Sequence, residues 1–262
     1  MIELVDIGVN LTHTRFNNDR DDVVKRAAAA GVTKMVLTGT SITESETAAL
    51  YAAQTPPKFR STAGVHPHYA SEWDTQALVR LRELAIRPVI GAIGETGLDY
   101  NRDFSPRPAQ RTAFAAQLGL AVELGYPVFL HQRDAETDFL AILNEYRAEL
   151  PNAVLHCFTG DRAFLERCLE IDLAIGVTGW LCDERRGQAL RACLPAIPLA
   201  RLMIETDAPF LIPKDLPEKP KDARNEPAYL PHILQQITVL RDEPFETIAH
   251  ATAANSIEFF GF

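Results

Sequence analysis

Eight short runs of β-type residues alternate with helix-like stretches from one end of the chain to the other. The runs cover residues 4–9, 34–39, 60–66, 89–95, 127–131, 153–158, 173–179 and 202–207. Most are dominated by Val, Ile and Leu, as in strands covered on both faces. Between them, PAQRTAFAAQLGLAVELG sets Phe114, Leu118, Ala121 and Val122 at helical spacing and stops on Gly125, and DDVVKRAAAAG stops on Gly31. Pro127 opens the next run, where its missing N–H is tolerated, and Asp134 and Asp161 stand where helix N-caps are expected. Strict strand–helix alternation requires parallel strands joined by right-handed crossovers. Eight such units in 262 residues fit a closed barrel better than an open doubly wound sheet. No G-x-G-x-x-G follows the first run, which removes the main support for a dinucleotide fold. The expectation is an α/β chain folded as a (β/α)8 TIM barrel, one domain over residues 1–262. Two final helices, 227–241 and 244–260, close it, and the Pro/Lys-rich stretch 213–224 is a loop.

Four of the runs carry a side chain able to bind a metal at or near their ends. VIGAIGE stops on Glu95, PVFLH on His131 and RLMIETD on Asp207, and AVLHCF passes through His156. A buried strand has no packing reason to finish on such groups. In a barrel the C-terminal strand ends gather on one face, where active sites are built. The same face receives Asn10 after the first run and His66 and His68 at the third. Two imidazoles with carboxylates are a competent site for a divalent cation, which polarises an ester or phosphodiester and acidifies a bound water. A single histidine reads most simply as a satisfied core residue; four such groups at four strand ends read as a site.

The surrounding residues leave alternatives open. His66 and His68 flank Pro67 and either meet charge on a substrate or cap the loop. Arg133 either contacts a phosphate or pairs with Asp134, and Asn10 is a further candidate for substrate contact. Arg185, Arg186 and Arg224 either guide a nucleic-acid backbone or are solvated surface charges. Glu205, two residues before Asp207, points to the same face and supports a ligand from deeper in the barrel. Asp99 and Tyr100 support the site or cap a turn. Cys157 is expected to point away from the site as a core thiol.

Net charge excludes one class of partner grip. At −9 the chain is not coated in basic surface for holding duplex DNA, although a strand end held in a cleft needs only a local positive field. The four cysteines form no C-x-x-C pair and read as reduced thiols of a cytosolic enzyme. No apolar run approaches the roughly 20 residues of a membrane span, and MIELVDIGVN lacks the pattern of a signal peptide. A cytoplasmic monomer with no membrane partner is expected.

Five motifs in fixed order carry a resemblance: GVHPH (64–68), GETGLDY (94–100), HQRDA (131–135), LHCFTG (155–160) and ETDAP (205–209). Together they resemble the TatD-type deoxyribonucleases of the metal-dependent hydrolase superfamily, and the likeness runs from DIGVNLT at Asp6 to RNEPAYL at Arg224. The resemblance implies a (β/α)8 barrel and a magnesium-dependent nuclease, a 3′–5′ exonuclease acting on single-stranded DNA or RNA ends. It implies metal ligation by Glu95, His131 and His156, with Asp207 as a further ligand or the group that activates water. Many members carry D-x-H-x-H on the first strand; here Gly8 and Asn10 stand at the histidine positions, which implies one ion rather than two. Magnesium follows from the resemblance alone, since imidazole-rich ligation suits zinc or manganese. The same ligands would serve an amidohydrolase-type carbonyl hydrolase, a lactonase or deacylase. A noncatalytic binding barrel that has lost its first-strand ligands is a third reading.

Overall fold

The computed structural model describes residues 2–55 and 57–262, and in it all eight runs form strands. They are β1 (Leu4–Val9), β2 (Val32–Leu37), β3 (Phe59–Ala63), β4 (Ile90–Asp99), β5 (Val128–Arg133), β6 (Ala153–Leu155), β7 (Ala174–Val177) and β8 (Leu202–Ile204), hydrogen-bonded in chain order in one sheet. Pairs β3–β4, β4–β5, β5–β6 and β7–β8 are parallel. Helices α1 (Arg20–Ala29), α2 (Ile42–Ala52), α3 (Thr75–Ala85), α4 (Arg107–Leu124), α5 (Glu136–Tyr146), α6 (Arg162–Glu170) and α7 (Gln188–Cys193) return the chain between strands. This is the (β/α)8 barrel that the alternation predicts. The expected closing pair is α8 (Leu230–Val239) and α9 (Phe245–Phe260), with a 3-10 turn at Pro227–Tyr229 leading into α8. Among the described residues no helix is long and apolar enough to cross a membrane.

The chain groups into two compact units, Met1–Val36 with Cys157–Glu170 and Ala174–Phe262, and Leu37–His156 with Ile171–Leu173. In the first, Val9 bridges Ala208, and α9 lies on β1 and β8, burying Ile248, Ala249 and Phe260. In the second, Phe114 of α4 stacks on Phe139 of α5 at 5.4 Å between ring centroids, and Phe129 of β5 is fully buried.

Local sequence sets the element ends. Gly125 takes φ +70° after α4, the left-handed stop its position predicts. Asp161 caps α6, accepting from Phe164 N at 2.9 Å. Asp134 does not cap α5. It sits at φ +54°, one residue too early, and accepts from Asn101 Nδ2 at 2.7 Å instead.

Two of the four strands that carry these candidate side chains run on past them. β5 continues beyond His131 to Arg133, and β4 continues beyond Glu95 to Asp99, with a register shift between Gly94 and Thr96 that leaves Glu95 in a bulge. Glycine makes this continuation possible. Gly97 lies opposite His131 at φ +147°, and a Cβ there would stand 1.8 Å from the His131 carbonyl oxygen. Gly94, at φ +145°, lies as tightly against Phe129, whose carbonyl oxygen would be 2.2 Å from an added Cβ. Gly97→Ala is therefore expected to destabilise the fold by roughly 3 kcal/mol or more, combining a disfavoured backbone region with a backbone clash. Urea unfolding measures it; a loss below about 1 kcal/mol would mean that β5 yields freely at His131.

Candidate active site

Three imidazoles converge on one carboxylate oxygen. Glu95 Oε1 lies 2.7 Å from His156 Nε2, 3.1 Å from His131 Nδ1 and 3.3 Å from His66 Nε2. The elements bring them there by simple means. Glu95 is presented by the bulge in β4, with its own N–H donating to Gly39 O at 2.8 Å. His131 comes from β5, and His156 directly follows β6 with its ring stacked on Phe129 at 4.5 Å. His66 opens the 3-10 turn Pro67–Glu72. Glu95 is 6% exposed and His156 4%, so the charges and dipoles act on one another with little solvent screening.

Burial alone would raise the Glu95 carboxyl. The facing His156 and His66, with hydrogen bonds from His131 and His156, hold it well below its ordinary value. Burial likewise pulls His131 down, but the facing carboxylates of Asp99 and Glu95 outweigh that and raise it. His66 goes the other way: burial dominates and lowers it to about 4.

A carboxylate oxygen of Glu95 and imidazole nitrogens of His66 and His131 all lie within 4.8 Å of one another, a grouping able to hold a cation. Within it the histidines are not equivalent. His68 N donates to His66 Nδ1 at 3.1 Å, so the neutral His66 ring carries its proton on Nε2 and faces Glu95 as a donor. His131 Nε2 is different. It is buried, has no partner at good hydrogen-bond geometry, and stands 3.5 Å from Asp99 Oδ2. The His131 ring thus turns Nδ1 to the convergent Glu95 Oε1 and Nε2 to Asp99.

Asp99 does more than its turn suggests. Its Oδ1 accepts from Asn101 N and Arg102 N at 3.0 and 2.8 Å, capping the turn, while Oδ2 lies 2.9 Å from His68 Nε2. Burial opposes ionisation, but His131, His68 and the Arg102 N–H keep the Asp99 carboxyl far below its ordinary value. Of the two readings open for Asp99, supporting the site and capping a turn, the structure shows both.

In the other unit, Asn10 Nδ2 donates to Asp207 Oδ1 at 3.1 Å, so the first-run asparagine and the ETDAP aspartate meet. Asp207 sits at φ +53°, with its N–H donating to Gly8 O at 2.8 Å. Glu205 is fully buried and accepts from Cys157 N at 2.5 Å, a supporting position on backbone. Cys157 differs from expectation: φ +47° turns it out of strand geometry, and it is half-buried rather than packed in the core. The arginines also sort themselves. Arg224 is engaged with Asp19 and Glu226 at 2.7 Å, and Arg186 with Asp183 at 2.9 Å, so these two brace loops. Arg133 is half-buried in β5, where its carbonyl accepts from Tyr100 N at 2.9 Å.

Close to Asn10 in the chain, Asp6 is entirely buried and accepts from Thr206 N, Thr206 Oγ1 and Gly8 N. Desolvation outweighs those bonds and raises its pKa from 3.8 to about 7. The folded chain thus holds this proton more tightly than the unfolded chain does. Its stabilising effect is complete below the unfolded pKa and is lost as pH rises toward the folded one, at about 1.4 kcal/mol per unit. Relative to Asp6→Asn, the wild type is expected to lose about 2–3 kcal/mol of unfolding free energy between pH 5 and pH 7. Parallel curves for the two proteins in urea titrations would refute this.

Residues 5–261 match the model of the TatD-related DNase family. The chain belongs to that family. Its similarity to TatD proteins spans whole chains. It is 54% identical over 258 residues to a protein of Erwinia amylovora named 3′-5′ ssDNA/RNA exonuclease TatD, covering 98% of this chain and all of the relative. It is 55% identical over 258 residues to a protein of that name from Citrobacter rodentium, covering 98% of each. Among solved structures, the TatD homologue YjjV of Escherichia coli K12 superimposes with a TM-score of 0.89 at 27% identity, over 99% of this chain and 98% of that one.

Proposed function

We propose that this chain is a 3′–5′ exonuclease hydrolysing phosphodiester bonds at the ends of single-stranded DNA and RNA, with magnesium as its activating ion. The observation that carries the reading is the convergence of three imidazoles on Glu95 Oε1 in a chain 54% identical, end to end, to a protein of that name. The match over residues 5–261 supports treating the chain as one hydrolase domain. A cytoplasmic monomer is in keeping with cysteines that stand outside any disulfide.

The residues present fit a divalent cation: Glu95, His131 and His156 would hold it, and the approach of His131 Nδ1 and His156 Nε2 to Glu95 Oε1, at 3.1 and 2.7 Å, supports that assignment. Such an ion polarises the phosphodiester and lowers the pKa of a bound water. The remaining roles fall to the chain. Asp207 orients the attacking water and takes its proton, steadied by the Asn10 amide. His68, fixed by Asp99, meets the charge that develops on the phosphate, and His66, whose Nε2 proton faces Glu95, lines the same wall with ring centroids 4.2 Å apart. Arg133 adds positive charge toward the phosphate. Phe104, 66% exposed and 4.6 Å from the His68 ring, offers a face on which an unpaired base stacks, in keeping with single-strand preference.

Because His131 is raised above its ordinary 6.5, an arriving ion must displace its proton. Manganese affinity is therefore expected to rise with pH across neutrality, and Asp99→Asn, which removes a group raising His131, to shift that rise to lower pH. Calorimetric titrations at pH 6 and pH 8 measure it; affinity independent of pH would contradict the assignment of His131. The function itself is tested on end-labelled single-stranded DNA and RNA with magnesium, manganese, zinc and chelator. Digestion from the 3′ end that chelator abolishes supports it. Digestion indifferent to chelator, or ester hydrolysis without nuclease activity, sinks it.

A further inference from the structure

A second cluster of ligating side chains lies in the unit that carries Asp207. Cys182 ends the 3-10 turn Gly179–Cys182 after β7, Asp215 lies in the loop after β8, and His232 is in the first turn of α8. Cys182 Sγ, an Asp215 carboxylate oxygen and a His232 ring nitrogen all lie within 4.8 Å of one another. His232 Nε2 stands 2.8 Å from Asp215 Oδ1. The backbone is built to let these elements meet. A Cβ on Gly179 would stand 2.7 Å from Leu211 O, so the loop lies directly on the turn, and α8 packs against the same turn.

The order of the three groups decides what they can do. A nucleophilic thiol needs an imidazole beside it and the carboxylate behind. Here the carboxylate stands in the middle, touching both others. Burial and the adjacent Asp215 push the Cys182 thiol up, away from a reactive thiolate. Thiol, carboxylate and imidazole facing one another across a small space are instead the donor set of a zinc-type site.

We propose that Cys182, Asp215 and His232 form a second divalent-cation site, selective for thiolate-binding ions such as zinc, that pins the loop after β8 to the turn after β7 and to α8. A tetrahedral zinc ion holds such donor atoms roughly 3.3–3.7 Å apart, so the 2.8 Å His232–Asp215 pair opens by roughly 0.5 Å and no other separation, all being within 4.8 Å, needs to close by more than about 1.5 Å. Cys182 is 2% exposed, but the His232 and Asp215 side chains are 19% and 33% exposed and give an ion its path from solvent. On binding, the Cys182 thiol proton leaves to solvent and the sulfur lone pair takes its place on the ion. A water completes the fourth position. The site shares no residue with the Glu95 cluster, and its softer donor set selects a different ion from magnesium.

Cobalt is the probe, because a sulfur–cobalt bond adds a charge-transfer absorption in the near ultraviolet that oxygen and nitrogen ligands do not give. Titrating the full-length Glu95→Gln protein with cobalt is expected to produce that band at one equivalent. The band is expected to persist in Cys157→Ser and to vanish in Cys182→Ser. His232→Gln, a change on a partly exposed helix face that leaves the thiol in place, is expected to weaken cobalt binding by at least about 100-fold. It decides the matter if Cys182→Ser fails to fold. No sulfur–cobalt band, a band surviving Cys182→Ser, or unchanged affinity in His232→Gln each overturns the proposal. Nuclease activity enters none of these readouts, so failure here is separable from failure of the proposed function.

Discussion

Replacing Glu95 by glutamine is expected to lower the exonuclease rate on end-labelled single-stranded DNA by on the order of 10³-fold while leaving the chain folded. Glutamine preserves the volume of the side chain and an oxygen for the facing imidazoles, and the backbone N–H at this position keeps its 2.8 Å bond to Gly39 O. What disappears is the one negative charge that three imidazoles share. A cation there would lose its only carboxylate among Glu95, His131 and His156. His131 would also lose one of the two groups that raise it. The substitution therefore removes attraction for the ion without opening a cavity, and circular dichroism should stay native. Manganese binding by calorimetry should fall in parallel with rate. A variant within about tenfold of wild type would show that Glu95 is not where the ion is held, and the site would have to be sought elsewhere.

The sequence made the architecture legible because alternation is a global property. One misplaced boundary among eight strands leaves the parallel order and the barrel intact. It also brought out Glu95, His131 and His156, because charged and imidazole groups inside apolar runs have no packing explanation. What stayed hidden depended on backbone conformations that no periodicity encodes. The fourth run ends at Glu95 by its apolar pattern, yet Gly94 and Gly97 adopt φ +145° and +147° and carry β4 through to Asp99. Asp99 consequently lies opposite Arg133 of β5, within reach of His68 and His131, which decides for the supporting role that its place in the GLDY turn left open beside turn capping. Cys157 followed strand alternation on paper, but its left-handed φ of +47° breaks the alternation at that residue. Arg224 looked available for a phosphate because its partners, Asp19 and Glu226, include one more than 200 positions away in the chain. The difference between His66 as ligand and His66 as donor rests on a single backbone N–H, that of His68.

Asp207→Asn is expected to lower kcat by about 10²- to 10⁴-fold, the usual worth of a general base, with KM nearly unchanged. The argument starts from the backbone. Asp207 sits at φ +53°, a region that asparagine tolerates and alanine does not, so the amide isolates the carboxylate's chemistry where Asp207→Ala would add about 1 kcal/mol of strain. The carbonyl oxygen of the introduced amide would still be free to take the Asn10 Nδ2 hydrogen bond now made to Asp207 Oδ1 at 3.1 Å, so the local frame persists. The Asp207 N–H bond to Gly8 O is likewise indifferent to the change. Only the ability to accept a proton is lost. A base contributes to the transition state rather than to ground-state affinity, so the deficit should appear in kcat and not in KM. If the deficit were instead confined to KM, Asp207 would be a binding residue and the water-activating role would pass to another group. Raising the pH separates the two cases further, since hydroxide partly replaces a missing base but does nothing for a missing contact. Partial recovery of the Asp207→Asn rate at high pH, with no recovery in Glu95→Gln, is the signature expected of a base beside an independent ligand.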